Sequence, residues 1–514
     1  MKKVILISLL CLIGGMQVNA ADMSILDFGA KQNSRDNSAA IQAAIDKCAL
    51  SGGGTVYVPA GTYLTTTIFL KSNVHLFLHN GAVLQGVTDP KAYKGRAIVV
   101  GENIKNTSIQ GEGCIDGQGN HKNFQFGDDK GRRPHVVLFE NCSNVKVKDV
   151  FLYNSASWTL RCANNDGVIV NNIRIYSHGN HNCDGIDINS RNVVISDCIV
   201  DCDDDGICFK TDIPGFDVEH VTVSNCVIAS NCNGIKFGTG SFGTFRNISI
   251  SNCVIKKASE NNVRNWRKML RGISADTTVI SGIALEVVDG GTMDRVVINN
   301  ISMQDVQTPL FIRLGNRRGK GILKNIIVSN IVAENQSLIT SSITGIPGSY
   351  VENVTLRDIM FSYTGGADEN DASIVVPEKI NEYPENRMFG PVLPAYGLYI
   401  RHVKNLTMEN IQCRLRKPDY RPAFIFDDVH NVSLNNFQVD LPQGKAPIVY
   451  LNESSDVVFS GFRTSEEAPL FLKIDGEKSR RIDVRSVNFD RVRKETECGE
   501  TVKEGTIYRL NSIL

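Results

Sequence analysis

Beyond its first twenty residues, this 514-residue chain has no apolar run long enough to span a bilayer. That excludes a membrane-spanning helix in the body of the protein. It has no dense tract of lysine and arginine, and its 55 basic and 55 acidic residues balance, which argues against a nucleic-acid partner. No two of its 14 cysteines stand in C-x-x-C spacing, so the usual paired thiolate ligands for a metal are missing. Only the N-terminus breaks the first absence. Lys2 and Lys3 precede an apolar run that ends in the small-residue sequence "VNA" at 18–20, the pattern of a secretory signal peptide over residues 1–20. Cys11 raises a lipoprotein reading, but no small residue directly precedes it. Removal of residues 1–20 takes away two lysines, leaving 55 − 2 = 53 basic against 55 acidic residues. The expected mature protein is a single domain over 22–514, secreted or periplasmic, near neutral, monomeric and not membrane-bound. A carbohydrate partner is compatible with that charge.

One pattern recurs along the chain: Asn or a substitute, then aliphatic, any, aliphatic, any, polar, aliphatic or Cys. It reads "NVKVKDV" at Asn144, "NVVISDC" at Asn192, "NISISNC" at Asn247, "NIIVSNI" at Asn325 and "NLTMENI" at Asn405. With six further copies, the steps run from 23 to 30 residues, apart from two of 48 and 52. Alternation of period two marks a half-buried strand. One such strand cannot bury its own apolar face, whereas stacked copies share a continuous core. The fold class is therefore all-β, a right-handed parallel β-helix, with the long steps as double turns or turns carrying insertions. The recurrent Asn suits a ladder of left-handed turns. Cys198, Cys226 and Cys253 lie 28 and 27 residues apart in equal phase, which predicts a buried column of thiols. Residues 33–50 carry Ile41, Ala44, Ile45 and Cys48 at helical spacing, as a short N-terminal cap on the solenoid. Residues 364–395, with Tyr383, Met388 and Phe389, form a long insertion and a candidate binding loop.

The stretch "DCDDDGICFKTD", 201–212, nearly spells a helix–loop–helix calcium loop. Its flanks alternate like strands, so that reading fails; a different oxygen cage remains an alternative, and no metal is assigned. Asp184 lies 20 and 21 residues before Asp204 and Asp205, and Asn233 lies 28 residues after Asp205, each about one coil. One strand edge should therefore carry Asp184, then Asp204 with Asp205, then Asn233. Layers about 4.8 Å apart would hold these carboxylates within reach of one another. Two carboxyls flanking a water is what an inverting glycosidase requires, and crowding raises the pKa of at least one of them. Asp187, Asp201 and Asp203 are expected to support the turn.

These residues carry a resemblance. "DFGAKQNSRDNSAAIQAAIDKCALSGGGTVYVPAGTYLT", "DGQGN", "NSASWTL", "NCDGIDI" and "DDDGICFKT" are similar to motifs of glycoside hydrolase family 28, the polygalacturonase family of the pectin-lyase-like β-helix superfamily. The likeness covers most of residues 25–310. It implies an inverting hydrolysis with Asp204 as general acid and Asp184 and Asp205 handling the water. It implies a pectic polysaccharide or oligosaccharide as partner, and no metal or organic cofactor. Asn182, His181 and Trp158 become candidate sugar contacts. Two positions depart from the family. Its Gly-His-Gly falls on Cys232-Asn233-Gly234, and its Arg-Ile-Lys falls on Ala284-Leu285-Glu286. The cations that would clamp a uronate are missing, which favours another linkage, such as one in a rhamnogalacturonan. Lys210, Lys236, Arg313 and Arg401 are the candidates to rebuild an acid-binding site, and His178 or His181 to replace the lost His. Two other readings stay open: a β-helix polysaccharide lyase using a Lys base, and a non-catalytic glycan-binding protein.

Overall fold

The computed structural model describes residues 22–124, 133–261, 270, 271, 273, 279–464 and 466–509. The signal-peptide expectation falls outside these residues. The ladders join parallel strands into one continuous sheet that winds as a right-handed parallel β-helix. The repeat positions are in register. Val145 pairs with Val168, Val168 with Val193, Val193 with Val221, and Val221 with Ile248. The same column continues through Val296, Ile326, Val354, Leu406, Val432 and Val457 to Ile482. All are buried. At roughly 1.5–3 kcal/mol for each fully buried aliphatic side chain, such columns supply the main stabilisation of a fold without a central hub.

The turns follow from the polar positions. Asn144, Asn192, Asn247, Asn325, Asn353, Asn405 and Asn431 adopt φ of 54–60°, the left-handed region that Asn tolerates best after Gly. Their amides stack: Asn353 Nδ2 donates to Asn325 Oδ1 at 2.8 Å, Asn405 to Asn353 at 2.8 Å, and Asn431 to Asn405 at 2.8 Å. The polar residue five places later in each repeat builds a second ladder, in which Asn300 donates to Asn252 at 3.0 Å and Asn330 to Asn300 at 3.0 Å. Both long steps are single coils with insertions, since Thr244 pairs with Thr292 and Val351 with Val403.

The helix Ser38–Leu50 buries Ile41, Ala44, Ile45 and Cys48, the face its spacing predicts, and packs on the first strands. Cys198, Cys226 and Cys253 are buried on consecutive coils, with Val227 N donating to Cys198 O and Val254 N to Cys226 O. They serve as small core side chains. No disulfide occurs among the described residues.

Candidate active site

The strand edge that the repeat spacing singles out is an acidic column. Thr159 N donates to Asp184 O, Gly185 N to Asp205 O, and Gly206 N to Asn233 O, and Asn233 pairs with Ser281. Asp184, Asp205, Asn233 and Ser281 thus occupy one position on successive coils, about 4.8 Å apart along the axis. The Gly that follows in all four coils lets the chains approach: a Cβ on Gly185 would lie 2.5 Å from Gly206 O, one on Gly206 2.8 Å from Gly234 O, and one on Gly234 2.9 Å from Gly282 O. Asp204 stands beside Asp205, at the mouth of the column. Asp184 and Asp205 are buried, while Asp204 is partly exposed.

Two lysines from neighbouring coils hold the carboxylates. A second column runs Arg161, Asp187, Cys208, Lys236 and Ala284. Lys236 Nζ lies 3.1 Å from Asp205 Oδ2, and Asn233 Nδ2 donates to Asp205 Oδ1 at 2.7 Å. Lys210 Nζ donates to Asp184 Oδ2 at 3.0 Å and also to Asp187 Oδ1. Burial pushes the Asp184 carboxyl well above the carboxylate range, and repulsion from Asp187, Asp204 and Asp205 adds to this against the pull of Lys210. Burial acts on Asp205 in the same direction. There it is outweighed by Lys236, Lys210 and the Asn233 amide, so Asp205 sits below its ordinary value and stays ionised. The two lysines lose hydration on burial, yet the aspartates around them hold both well above the usual ammonium range. Asp184 and its neighbour Asp187 are thus the raised carboxyls of the cluster, through burial first, with repulsion between carboxylates adding to it.

These contacts settle where the other sequence candidates sit. Lys210, Lys236 and Asn233 are buried and engaged with aspartates, as supports of the acidic column. Arg313 is a correction: it is fully buried, and its guanidinium donates to the carbonyls of Gly345, Glu378 and Lys379. Arg401 does the same for Val376 and Pro377. Both arginines pin the 364–395 insertion and offer nothing to a uronate. Glu286, at the position of the missing cation, offers no contact to a sugar either. It is 1% exposed, its Oε2 has no hydrogen-bond partner, and burial raises its carboxyl to about 8 despite Lys236 nearby. At neutral pH it is largely uncharged, so the missing cation counts against a uronate here, and repulsion does not. His178 packs under the turn, its Nε2 2.9 Å from Asp201 Oδ1. Asp203 is buried in that turn too, where Asn231 Nδ2 reaches its Oδ1 at 3.5 Å.

Trp158 is half-buried. It stacks on His135 at 5.5 Å and 11°, and Lys210 lies 4.7 Å from its ring centroid. Asn182 is exposed at the groove, and its Oδ1 accepts from Arg133 Nη2 at 3.2 Å; the His181 carbonyl also accepts from Arg133. Sequence reading missed Arg133 and Arg161. Arg161 donates to Asp212 Oδ2 at 2.8 Å and faces Asp187 across one coil, a relation visible only once the register is known. The insertion closes the other side of the site. It places Tyr383 5.8 Å from Lys236 Nζ, and its Phe389 and Leu393 pack in one cluster with Ala284 and Phe311. For a cation, Asp204, Asp205 and Cys232 bring ligand atoms within 4.8 Å of one another, the one such grouping among the described residues. Asp205 is already held there by Lys236 and Asn233, so a cation would have to displace an ammonium.

The chain is 30% identical over 219 residues to a probable polygalacturonase of Vitis vinifera, covering 37% of this chain and 45% of that protein. It is 29% identical over 238 residues to a putative rhamnogalacturonase D of Aspergillus niger, covering 44% and 48%. The matches thus span about half the length of these relatives. The structure of an exopolygalacturonase from Thermotoga maritima superposes with a TM-score of 0.60 at 22% identity, over 77% of this chain and 93% of that one. The model of glycosyl hydrolases family 28 matches residues 48–379, which contain the whole acidic column, and the chain belongs to that family.

Proposed function

We propose that the protein hydrolyses a glycosidic bond in a pectic oligosaccharide or polysaccharide, acting outside the cell with inversion at the anomeric carbon. The observation that carries this reading is the column of Asp184 and Asp205 with Asp204 at its mouth. Asp204 is the most accessible of the three, and acts as the general acid on the leaving oxygen. Asp205, held ionised by Lys236, acts as the base toward water, and the buried Asp184, whose Oδ1 has no hydrogen-bond partner, helps to position that water. Asp205 is held charged while burial raises Asp184, so the two buried carboxyls beside Asp204 differ in their readiness to ionise.

The substrate reading follows from the same residues. Ala284 and Glu286 stand where the family resemblance places a cationic clamp, and neither offers a charge to a uronate at neutral pH. A charge-assisted hydrogen bond contributes about 1.5–3 kcal/mol, roughly one to two powers of ten in rate. The sugar on this side of the cleaved bond is therefore neutral, as in a rhamnogalacturonan-type linkage. The insertion packs over Ala284 and Phe311, which favours release of short products.

The test is reducing-sugar release from polygalacturonate and from rhamnogalacturonan oligosaccharides, with proton NMR following the first anomer. Asp204→Asn should reduce turnover of the better substrate at least 100-fold, within the range of general acid catalysis. Inversion with no ultraviolet-absorbing unsaturated product and no loss in EDTA is expected. Retention of configuration, or an unsaturated product, would sink the mechanism.

A further inference from the structure

The 364–395 insertion is held partly by a histidine, a side chain whose charge changes near neutral pH. His402 is buried, and each nitrogen of its ring faces a carboxylate. Nδ1 lies 2.6 Å from Asp428 Oδ2 on the neighbouring coil, and Nε2 lies 3.2 Å from both oxygens of Glu378 on the insertion. An ionised carboxylate has no proton to give, so both contacts need an N–H from the ring, and only the imidazolium has two. We infer that His402 is a positioning residue for the site: protonated, it latches the insertion through Glu378, and on losing its proton it releases it. This latch acts on the site of the proposed function, and only its effect on KM rests on that reading.

The surroundings decide which contact is lost. Burial works against the charge on Asp428, but hydrogen bonds from His402, His430 and Tyr350 outweigh it, so its carboxyl lies well below the ordinary carboxylate range. Asp428 therefore stays ionised and keeps the single N–H of a neutral ring. The bare Nε2 would then point its lone pair at the Glu378 carboxylate. The Glu378 side chain is 37% exposed, so it has water to turn to. His430 differs. Its Nε2 is 3.0 Å from Asp428 Oδ1, but its Nδ1 is 3.0 Å from the Ser455 hydroxyl, which can accept or donate, so a neutral ring serves there. Three cations complete the surroundings of His402. Arg401 Nη1 is 3.3 Å from Glu378 Oε1, Arg313 donates to the Glu378 carbonyl, and Lys404 Nζ is 3.8 Å from the Tyr350 ring centroid. The arginines keep their charge at any pH and hold residues 376–379 by the main chain. His402 adds the tie that follows pH. Glu378 is five residues before Tyr383, whose ring lies 5.8 Å from Lys236 Nζ, so its release loosens the segment that sets Tyr383 beside the acidic column.

The test is amide hydrogen exchange on the full-length protein at about pH 5.5 and about pH 8, on either side of the usual histidine range, corrected for the intrinsic rate at each pH. Protection of residues 374–383 should fall about tenfold at the higher pH, the size of one charge-assisted hydrogen bond, while the strand Phe424–Val439 is unchanged. Glu378→Gln, at a partly exposed position, supplies an amide that accepts from the imidazolium or donates to the bare nitrogen. It should keep the insertion protected at both pH values, whereas His402→Gln should leave it loose at both. KM of the unaltered protein should rise with pH and that of Glu378→Gln should not, with kcat following the same pH dependence in both. Equal protection of the unaltered protein at the two pH values would overturn the latch. So would a pH dependence that persists in Glu378→Gln. That variant leaves Glu286 untouched, the carboxyl near Tyr383 that burial raises to about 8. Exchange is read without substrate, so its outcome is separable from failure of the hydrolytic reading, which the product assay tests.

Discussion

Glu286 shows how burial decides a residue's chemistry here. Its carboxyl rises from its ordinary value to about 8 because burial outweighs the attraction of Lys236. A carboxyl whose folded pKa is raised keeps its full contribution to stability below the unfolded pKa and loses it as pH rises through the folded one. Stability should therefore fall from about pH 4.5 to about pH 8, by up to roughly 1.4 kcal/mol per pH unit from this group alone. Glu286→Gln should flatten that slope in urea denaturation across the window, and an unchanged slope would show that the group is already ionised. Asp205 has the opposite sign. Lys236 holds it ionised, so Lys236→Met should raise its pKa and move the acid limb of kcat/KM to higher pH by a unit or more, read from the pH–rate profile. A limb that stays in place would remove Asp205 from the role of base.

At the scale of elements, the 364–395 insertion is attached both by apolar packing, with Val376, Phe389 and Leu393 in one cluster with Ala284 and Phe311, and by contacts to its main chain. Arg313 and Arg401 spread two guanidinium groups over the carbonyls of Val376, Pro377, Glu378 and Lys379. His402 adds a second tie, its Nδ1 2.6 Å from Asp428 and its Nε2 3.2 Å from Glu378. Arg313→Met removes a buried donor to several acceptors at once, each such bond being worth about 1.5–3 kcal/mol. The variant should lose on the order of 2–3 kcal/mol. Amide exchange should speed up in residues 374–383 before it does in the neighbouring strands. Uniform loosening of the whole solenoid would instead show that the insertion is not a separate unit. Since Tyr383 overhangs Lys236, the same variant should raise KM more than it lowers kcat.

Over the whole molecule, a solenoid has two open ends, and its stability is close to a sum of coil and interface contributions. The helix Ser38–Leu50 closes the N-terminal end with Ile41, Ala44, Ile45 and Cys48, all buried. Ile45→Asp places a charge in that seam, a change expected to cost about 3 kcal/mol or more. Because each coil contacts only its neighbours, exchange protection should fall first between 54 and 110, with the coils after 320 protected longest. Simultaneous loss throughout would mean that the solenoid unfolds as one cooperative unit.

The sequence by itself determined the coil. Period-two alternation and the recurrent Asn fixed strands, turns and register, and parallel stacking converts a one-coil offset in sequence into neighbours in space. That is why Asp184, Asp205 and Asn233 were legible as one column, and why the cap face and the cysteine column follow from spacing alone. The second ladder was present in the repeat as an unnamed polar position. What lies off the repeat was decided only by tertiary structure. Lys210 reaches Asp184 and Asp187 beside a register shift after Phe209, which no count of residues anticipates. Arg133 meets Asn182 from 49 residues upstream, and Arg313 meets Glu378 from 65 residues away. The state of Glu286 depends on burial from several coils and from the insertion. Local periodicity specifies backbone geometry, whereas the charge state and the partner of a buried group depend on everything packed around it.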